Sequence, residues 1–410
     1  MKRVVVTGLG VVSSLGQDPQ TFFAALLEGR SGIARLPADF NPRLRTRTVA
    51  AAAFDGAEHF SRVQMRMLDR VSQFALAAAG QAIRDAALEL TYAERDDTGV
   101  FLGTGMGGAQ ATDDGYQLVY EQQSDRVKPM TVLLAMNNAA ASWIGVEHRL
   151  CGPNLTYTTA CSSSAVAIGE AFRRVARGET AVMVAGGSEA PLNFGTLMAW
   201  EAMRTLATED ADPAASCKPF ALDRTGLVLG EGAAVVVLEE WERARARGAP
   251  IYAEIAGYGL TTDSQHITHP GVAGQARAMQ RALAEARLPP QAIAYVNAHG
   301  TATIANDAVE TAAIKAVFGE CASSIPVSST KAMHGHLLGA AGALEFVVAV
   351  LATRTGCLPP TINLRIPDPA CDLDYIAEGA RRDIDVGAAM SNSFAFGGTN
   401  ASLVCRRYPE

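Results

Sequence analysis

The sequence is short of several features that mark whole classes of protein. Its seven cysteines (Cys151, Cys161, Cys217, Cys321, Cys357, Cys371 and Cys405) are odd in number and form no Cys-x-x-Cys pair. That excludes a disulfide framework and a zinc ribbon, and predicts reduced thiols in a cytoplasmic protein. Charged residues are only 19% and aromatics 6%, against 49% hydrophobic residues in a chain of 410; disorder and coiled coil need the opposite balance. Basic residues are outnumbered, Lys+Arg 35 to Asp+Glu 42, a net −7 that argues against nucleic acid as a partner. No run reaches the roughly 20 apolar residues of a membrane span: the longest, Leu337 to Ala352, carries Glu345 in its middle. Met1-Lys2-Arg3 before Val4–Val6 faintly mimics a secretory leader, but Thr7 and Gly8-Leu9-Gly10 interrupt it, and a first strand is expected instead. No Pro- or Ser-rich linker divides the chain, so its two expected units, residues 1–250 and 251–410, should pack tightly together.

What is abundant is small: 38 glycines, and Ala-rich stretches alternating with short β-branched runs. Strands are expected at Arg3–Thr7, Thr98–Gly103, Leu155–Thr159, Ala181–Gly186, Gly232–Glu239, Ile251–Leu260, Ala294–Ala298, Ile325–Ser328 and Val386–Ser393. Helices are expected at Gln20–Glu28, Arg66–Leu88, Ser162–Arg177, Trp241–Arg247, Val272–Ala286, Asp307–Phe318 and Gly335–Thr353. This alternation predicts an α/β sandwich with largely parallel sheets. A weak internal echo suggests duplication: Leu155–Thr159 leads through Ala160-Cys161 into Ser162–Ala167, and Ile325–Ser328 leads through Ser329-Thr330-Lys331 into Gly335–Gly342. Gly8-x-Gly10 and Gly103-x-Gly105-x-Gly107-Gly108 each resemble half of a dinucleotide fingerprint. Neither has the full spacing, and Gly108 leads into no clean helix, so tight packing explains them better than nucleotide binding.

One cysteine stands apart. Cys161 falls between a strand and a helix that opens with three serines, where free N–H groups and the helix dipole favour thiolate and could hold an oxyanion. A buried structural thiol is the plain alternative. His299 ends a strand and His336 opens a helix. A cysteine with two histidines and Lys331 can supply a nucleophile and two N–H donors, which suits acyl transfer followed by enolate stabilisation.

These residues lie in Thr159-Ala160-Cys161-Ser162-Ser163, Asn297-Ala298-His299-Gly300-Thr301, Ser329-Thr330-Lys331 with Gly335–Gly342, and Asn392-Ser393-Phe394-Ala395-Phe396-Gly397-Gly398-Thr399-Asn400. With Gly230-Glu231-Gly232-Ala233, these ordered motifs resemble the elongating β-ketoacyl-acyl-carrier-protein synthases of the thiolase superfamily, from Val4 to Val404. The resemblance implies a layered α-β-α-β-α sandwich of two duplicated halves, the first carrying the nucleophile and the second the His and Lys residues. It implies that Cys161 takes an acyl group from a carrier-protein thioester and that malonyl-carrier protein then loses CO₂ and attacks it. His299 and His336 would stabilise the enolate as neutral imidazoles, and the N–H groups of Cys161 and Phe396 would form the oxyanion hole. Lys331, linked to Glu345, would organise the histidines electrostatically and through hydrogen bonds; direct Glu345–His336 contact is disfavoured by a nine-residue spacing on one helix. Thr268, Thr301 and Thr303 would hold the phosphopantetheine arm, Phe394 and Phe396 would gate the acyl pocket, and Met106 and Trp200 would line it. Arg62, Arg66 and Arg70, spaced along one helix face, together with Arg204, would dock an acidic carrier protein. No cofactor and no metal are implied, and the partner would be a second copy of the chain or a related ketosynthase subunit.

Departures from the family pattern are informative. Ala395 replaces a usual Gly and would stiffen the gate, and His334 replaces a usual Thr, so that His334-x-His336 mimics a metal pair lacking a third ligand. Ala302 and Ile304 stand for Ser and Pro, and Ala221 and Thr225 for aspartates. Together they put ordinary fatty-acid elongation in question and leave a polyketide or aryl-polyene pathway open. Three other readings compete. A chain-length-factor subunit would have lost the nucleophile, a degradative thiolase would need a second cysteine as base in a Gly-rich context, and a cysteine hydrolase would need a third group orienting His299.

Overall fold

A computed structural model describes residues 1–408. Ten strands form its main sheet: β1 (Val4–Val12), β2 (Gly99–Gly103), β3 (Asn154–Tyr157), β4 (Val182–Glu189), β5 (Gly232–Glu240), β6 (Ala253–Thr262), β7 (Tyr295–Asn297), β8 (Val327–Ser328), β9 (Ala388–Phe394) and β10 (Thr399–Arg406). Their order is β8-β7-β9-β10-β6-β1-β5-β4-β2-β3. Taken separately, β1–β5 and β6–β10 follow one order, 3-2-4-5-1, with the same strand directions. In each, two pairings are parallel and two antiparallel, so four strands run one way and one, β5 or β10, runs against them. The halves meet through a short antiparallel pairing of Val4–Val6 with Ile255–Ala253. The fold is thus a duplicated α/β structure, as expected, but the sheets are mixed rather than largely parallel. β10, absent from the expected strands, accounts for part of this: it follows β9 after a turn too short for a crossover, which forces an antiparallel pair.

Five helices set the layers: α1 (Arg70–Asp85), α2 (Ser163–Ala176), α3 (Val272–Ala286), α4 (Ile304–Phe318) and α5 (Ala341–Thr355). α1 covers β1 and β5 on one side, and α3 covers β6 and β10 on the other. α2 and α5 touch each other and strands of both halves, so they form the middle layer. That position explains their sequences. α5 is buried continuously from Ala341 to Thr353, and the stretch Leu338–Thr355, long and apolar enough to cross a membrane, is 89% buried inside the protein. A core helix between two sheets must be apolar all round.

The glycine pairs are explained by packing. A Cβ on Gly8 or Gly10 would lie 2.1 or 1.9 Å from the carbonyl oxygens of Ala82 or Ala78 in α1, and one on Gly257 or Gly259 would meet those of Ala282 or Ala278 in α3 at 2.1 and 1.9 Å. Each half therefore seats its outer helix on a Gly-x-Gly strand, and Gly8-x-Gly10 serves helix–strand contact rather than a nucleotide. The second Gly-rich loop does lead into a helix, Ala109–Tyr116, contrary to expectation. Its turn is held by Glu189, whose carboxylate accepts the N–H groups of Gly105 (2.6 Å) and Met106 (2.9 Å).

Candidate active site

The site gathers where strands β3, β7, β8 and β9 end, the edge at which α/β sheets present ligand-binding loops. Cys161 follows β3 in a single 3-10 turn, Ala160–Ser162, with Ala160 at φ +49°. The serines after it lock that turn: Ser163 Oγ accepts the Thr159 N–H (2.9 Å) and donates to the Ala160 carbonyl (2.6 Å). Ser164 Oγ accepts the Ala343 N–H (2.8 Å) and ties α2 to α5. His299 follows β7, and the Glu310 carboxylate of α4 fixes its backbone by accepting the N–H groups of His299 and Gly300, both at 2.8 Å. His336 lies in the turn before α5. Its N–H donates to the Val228 carbonyl (2.7 Å) and its carbonyl accepts the Gly230 N–H (2.9 Å).

The chain ends that carry these side chains converge. The Cys161 sulfur and a ring nitrogen of each of His299 and His336 all lie within 4.8 Å of one another, and the three residues are buried. The two imidazoles stand edge to face, centroids 5.4 Å apart at 82°. Lys331, 1% exposed, donates to the His299 carbonyl (2.5 Å), lies 3.4 Å from His299 Nδ1, and is ion-paired with Glu345. The Lys331–Glu345 link expected from sequence is therefore present. His336 and Glu345 do not share a helix, because α5 begins only at Ala341.

Electrostatics correct one expectation. Burial pushes the Cys161 thiol up to about 12, outweighing Lys331 and the Phe396 N–H that hydrogen-bonds the sulfur. The helix proper starts two residues later, at Ser163, and the sulfur has lost its water, so the resting group is a thiol rather than the thiolate expected at a helix start. Burial first, and Lys331 second, hold both His299 and His336 well below the usual imidazole range, so they are neutral. No hydrogen-bond partner satisfies either ring nitrogen of His336, leaving it free to meet a substrate. Cys161, His299 and His336 are also one set of three atoms that a metal could use, but a thiol held protonated by burial is a poor ligand.

The cleft above the sulfur is lined by Trp200, Thr268, Thr301, Thr303, Phe394 and Phe396, all named from sequence. Trp200 stacks on Phe396 (6.1 Å, 20°), and Phe394 lies 6.0 Å from His299. Thr301 and Thr303 share a hydrogen bond (2.8 Å). Met106 does not line this cleft; it is 40% exposed beyond the Gly-rich turn. The arginine series is also revised. Ser61 and Asp69 each cap a helix start, so Arg62 lies in a separate short helix, Arg62–Met65, Arg66 caps its end, and Arg70 begins α1. Arg70 is committed to Glu231 (2.7 Å) and to the Ala52 and Phe54 carbonyls, whereas Arg62, Arg66 and Arg204 are exposed.

The family model described as beta-ketoacyl synthase, N-terminal domain, matches residues 1–244, and that described as beta-ketoacyl synthase, C-terminal domain, matches residues 252–365. The chain belongs to the β-ketoacyl synthase family. It is 40% identical over 410 residues, 99% of the chain and 98% of the relative, to 3-oxoacyl-[acyl-carrier-protein] synthase 2 of Synechocystis. It is 43% identical to nodulation protein E of Rhizobium meliloti over 99% of both chains. Among solved structures, a β-ketoacyl synthase from Burkholderia phymatum superposes with TM-score 0.92 at 38% identity, and the ishigamide ketosynthase/chain length factor with 0.93 at 33%, each covering 100% of both chains. A type II polyketide ketosynthase solved with its acyl-carrier protein superposes with TM-score 0.91 at 31% identity, again over both whole chains. The chain is thus an enzyme of the acyltransferase class, a thiolase-like condensing ketosynthase.

Within this ketosynthase, Glu310 and Glu189 are the positioning groups that sequence reasoning missed. The signal for Glu310 was available: Asp307 and Glu310, three apart, share a helix face with Ala313 and Ile314, and buried carboxylates on such a face need donors. Two of the departures, Ala395 and His334, have a structural explanation. Ala395 is not at positive φ; its N–H donates to the Thr399 carbonyl (2.9 Å), and the turn's left-handed positions are Gly397 and Gly398. His334 is fully engaged, Nε2 with Thr330 Oγ1 (2.9 Å) and Nδ1 with the Gly335 carbonyl (2.8 Å), so it is structural. Burial holds it down to about 3. As its folded value lies below the unfolded 6.5, the unfolded chain takes up a proton that the native state refuses, and stability falls as pH drops below 6.5. Replacing it (His334→Thr) should flatten the acid limb of a denaturation-versus-pH curve by about 1.4 kcal/mol per pH unit between roughly pH 6 and 4. An unchanged limb would show the imidazole already protonated in the fold.

Proposed function

We propose that the ketosynthase joins an acyl group to malonyl-acyl-carrier protein by decarboxylative Claisen condensation, in fatty-acid synthesis or a specialised polyketide or polyene pathway. The observation that carries this reading is the convergence of one thiol and two neutral imidazoles in a single cleft. Cys161 Sγ attacks the carbonyl carbon of an acyl-carrier thioester, and the carrier thiol leaves. Malonyl-carrier protein then binds and its C–C bond to the carboxylate breaks, releasing CO₂. The electron pair passes to the thioester oxygen, where His299 and His336 donate N–H groups. The carbanion carbon attacks the acyl–Cys161 carbonyl, whose oxygen faces the Cys161 and Phe396 N–H groups, and the sulfur leaves with the pair and takes up a proton from water to restore the resting thiol. No cofactor is needed, since the carrier's phosphopantetheine brings both carbon groups.

Lys331 and Glu345 hold His299 in place, Thr268, Thr301 and Thr303 receive the arm, and Trp200, Phe394 and Phe396 bound the acyl group. Arg62, Arg66 and Arg204 remain available to an acidic carrier. The halves divide near residue 250, and the enzyme works in the cytoplasm. A homodimer is supported by β3, which ends the sheet with Leu155 47% exposed, and an unpaired edge invites another strand. The likeness to a ketosynthase/chain length factor makes a related subunit the second candidate for that edge. The test is direct: incubate the enzyme with acyl- and malonyl-carrier proteins and follow CO₂ and the β-ketoacyl-carrier product by mass spectrometry. Product is expected with at least one of a panel of acyl primers; malonyl consumption with no new carbon–carbon bond would overturn the reading.

A further inference from the structure

Arg224 is a cation that the reaction proposed above leaves without a task. It is 5% exposed, and a guanidinium so far from water persists only where acids and carbonyls meet it on several sides. Its neighbour in sequence, Asp223, is taken by Lys218 (2.7 Å). The charge is met from farther along the chain. Asp368 Oδ2 accepts from Nη1 at 2.6 Å, and Asp307 Oδ2, buried in α4, lies 3.7 Å from Nε. The other donors go to backbone: Nη1 also to the Ala221 carbonyl (2.8 Å), Nε to the Thr303 carbonyl (3.2 Å) and Nη2 to the Ile304 carbonyl (3.4 Å).

Two of those carbonyls close the turn that runs from His299 into α4, and that turn is strained. Ala302 stands at φ +63° and Gly300 at +35°, a region that side chains disfavour. A Cβ on Gly300 would also meet the Phe220 ring at 2.9 Å, and Phe220, itself at +63°, donates its N–H to Asp307 (2.8 Å). The first end of the turn is fixed by other groups. Glu310 accepts the N–H groups of His299 and Gly300, Ser329 Oγ donates to the Gly300 carbonyl (2.6 Å), and Lys331 donates to that of His299. The second end, Thr303-Ile304, is gripped at both carbonyls by the one guanidinium. Between the ends lie the hydroxyls of Thr301 and Thr303, joined at 2.8 Å, and both residues line the cleft.

We propose that Arg224 is a positioning residue of the condensation: its fork holds the strained turn in the shape that presents Thr301 and Thr303 together to the phosphopantetheine arm. This inference rests on the arm-binding role proposed above for those threonines. A planar guanidinium serves several acceptors in fixed directions, which an ammonium cannot. Because His299 is anchored by Glu310 and Lys331, the chemistry at Cys161 does not pass through Arg224.

The experiment follows acylation of Cys161 by an acyl-pantetheine thioester, by mass spectrometry, in the wild type, Arg224→Lys, Thr301→Val and the double variant. Lysine keeps the positive charge beside Asp307 and Asp368 and loses the fork, whereas a neutral replacement would strand a buried carboxylate. In Arg224→Lys, KM should rise about tenfold while the maximal rate stays within about twofold of the wild type. Thr301→Val should raise KM too, and the double variant should be no worse than the more affected single one, since both changes remove the same contact. Additive rises, an unchanged KM or a loss confined to the maximal rate in Arg224→Lys would overturn the role. Should that variant not fold, Asp368→Ala, at a side chain 20% exposed, frees the Nη1 end of the fork and should raise KM about threefold; an unchanged KM there overturns the role equally. A wild-type KM in Thr301→Val would overturn the arm-binding reading itself, because the arm would then lie elsewhere.

Discussion

Replacing the sulfur (Cys161→Ser) should abolish the acyl-enzyme adduct on intact-protein mass spectrometry and lower acyl transfer by roughly 10³-fold or more. The reason lies in how the site holds its nucleophile. A serine hydroxyl in this setting has no base dedicated to it: His299 and His336 are neutral, and in the proposed reaction both donate their N–H groups to a shared spot. The thiol itself is pushed up to about 12 by burial, so little thiolate exists at rest, and reactivity should climb with pH. Alkylation of Cys161 by iodoacetamide is expected to quicken about tenfold per pH unit from pH 7 to 9, since the thiolate fraction rises in that proportion below the thiol's own value. A plateau above pH 7 would show that the helix start and Lys331 overcome burial. An adduct of undiminished yield on the serine variant would remove Cys161 from the reaction altogether.

How much of this was readable in advance follows the range of the interactions involved. Cys161, His299, Lys331 and His336 were legible because each sits in a local motif, strand end followed by small residues, whose backbone needs are written in adjacent positions. The duplication was legible only as an echo, and the structure makes it exact through the two Gly-x-Gly strands, Gly8–Gly10 and Gly257–Gly259, which take helices in the same way. What escaped was non-local. β10 begins with Thr399-Asn400-Ala401-Ser402, too polar to read as a strand, yet Asn400 and Ser402 are buried because their side chains find partners in Asp263 and Asn392. The arginine series failed for the opposite reason. Regular spacing implied one helix face, but Ser61 and Asp69 each cap a new start and the chain turns between them. The thiol's protonation state depended on water removed by residues far away in sequence, and no local motif reports that. Arg70 looked like a free cation until Glu231, 161 positions on, was placed beside it.

Lys331 offers the second large effect, and a double replacement separates its two roles. Its ammonium is 1% exposed and paired with Glu345, which is 0% exposed. Lys331→Met keeps the length and removes the charge, leaving a buried carboxylate without its cation. Breaking a buried pair in this way costs about 3–5 kcal/mol, so chemical denaturation should show a loss of that order. Glu345 already stands pushed up to about 7 by burial, with Lys331 pulling the other way; without the lysine it should bind a proton, and the variant should lose stability further as pH rises and that proton becomes harder to keep. Adding Glu345→Gln removes the orphaned carboxylate, and most of the stability should return. Activity should not return with it. The lysine also donates to the His299 carbonyl and lies 3.4 Å from its Nδ1, and the donor geometry at His299 depends on that anchor. Condensation is expected to stay about 10²-fold down in both variants, in line with the loss of one preorganised donor. A double variant that regained both stability and turnover would make Lys331 a purely structural cation, and a single variant as stable as the wild type would show that water replaces the ammonium.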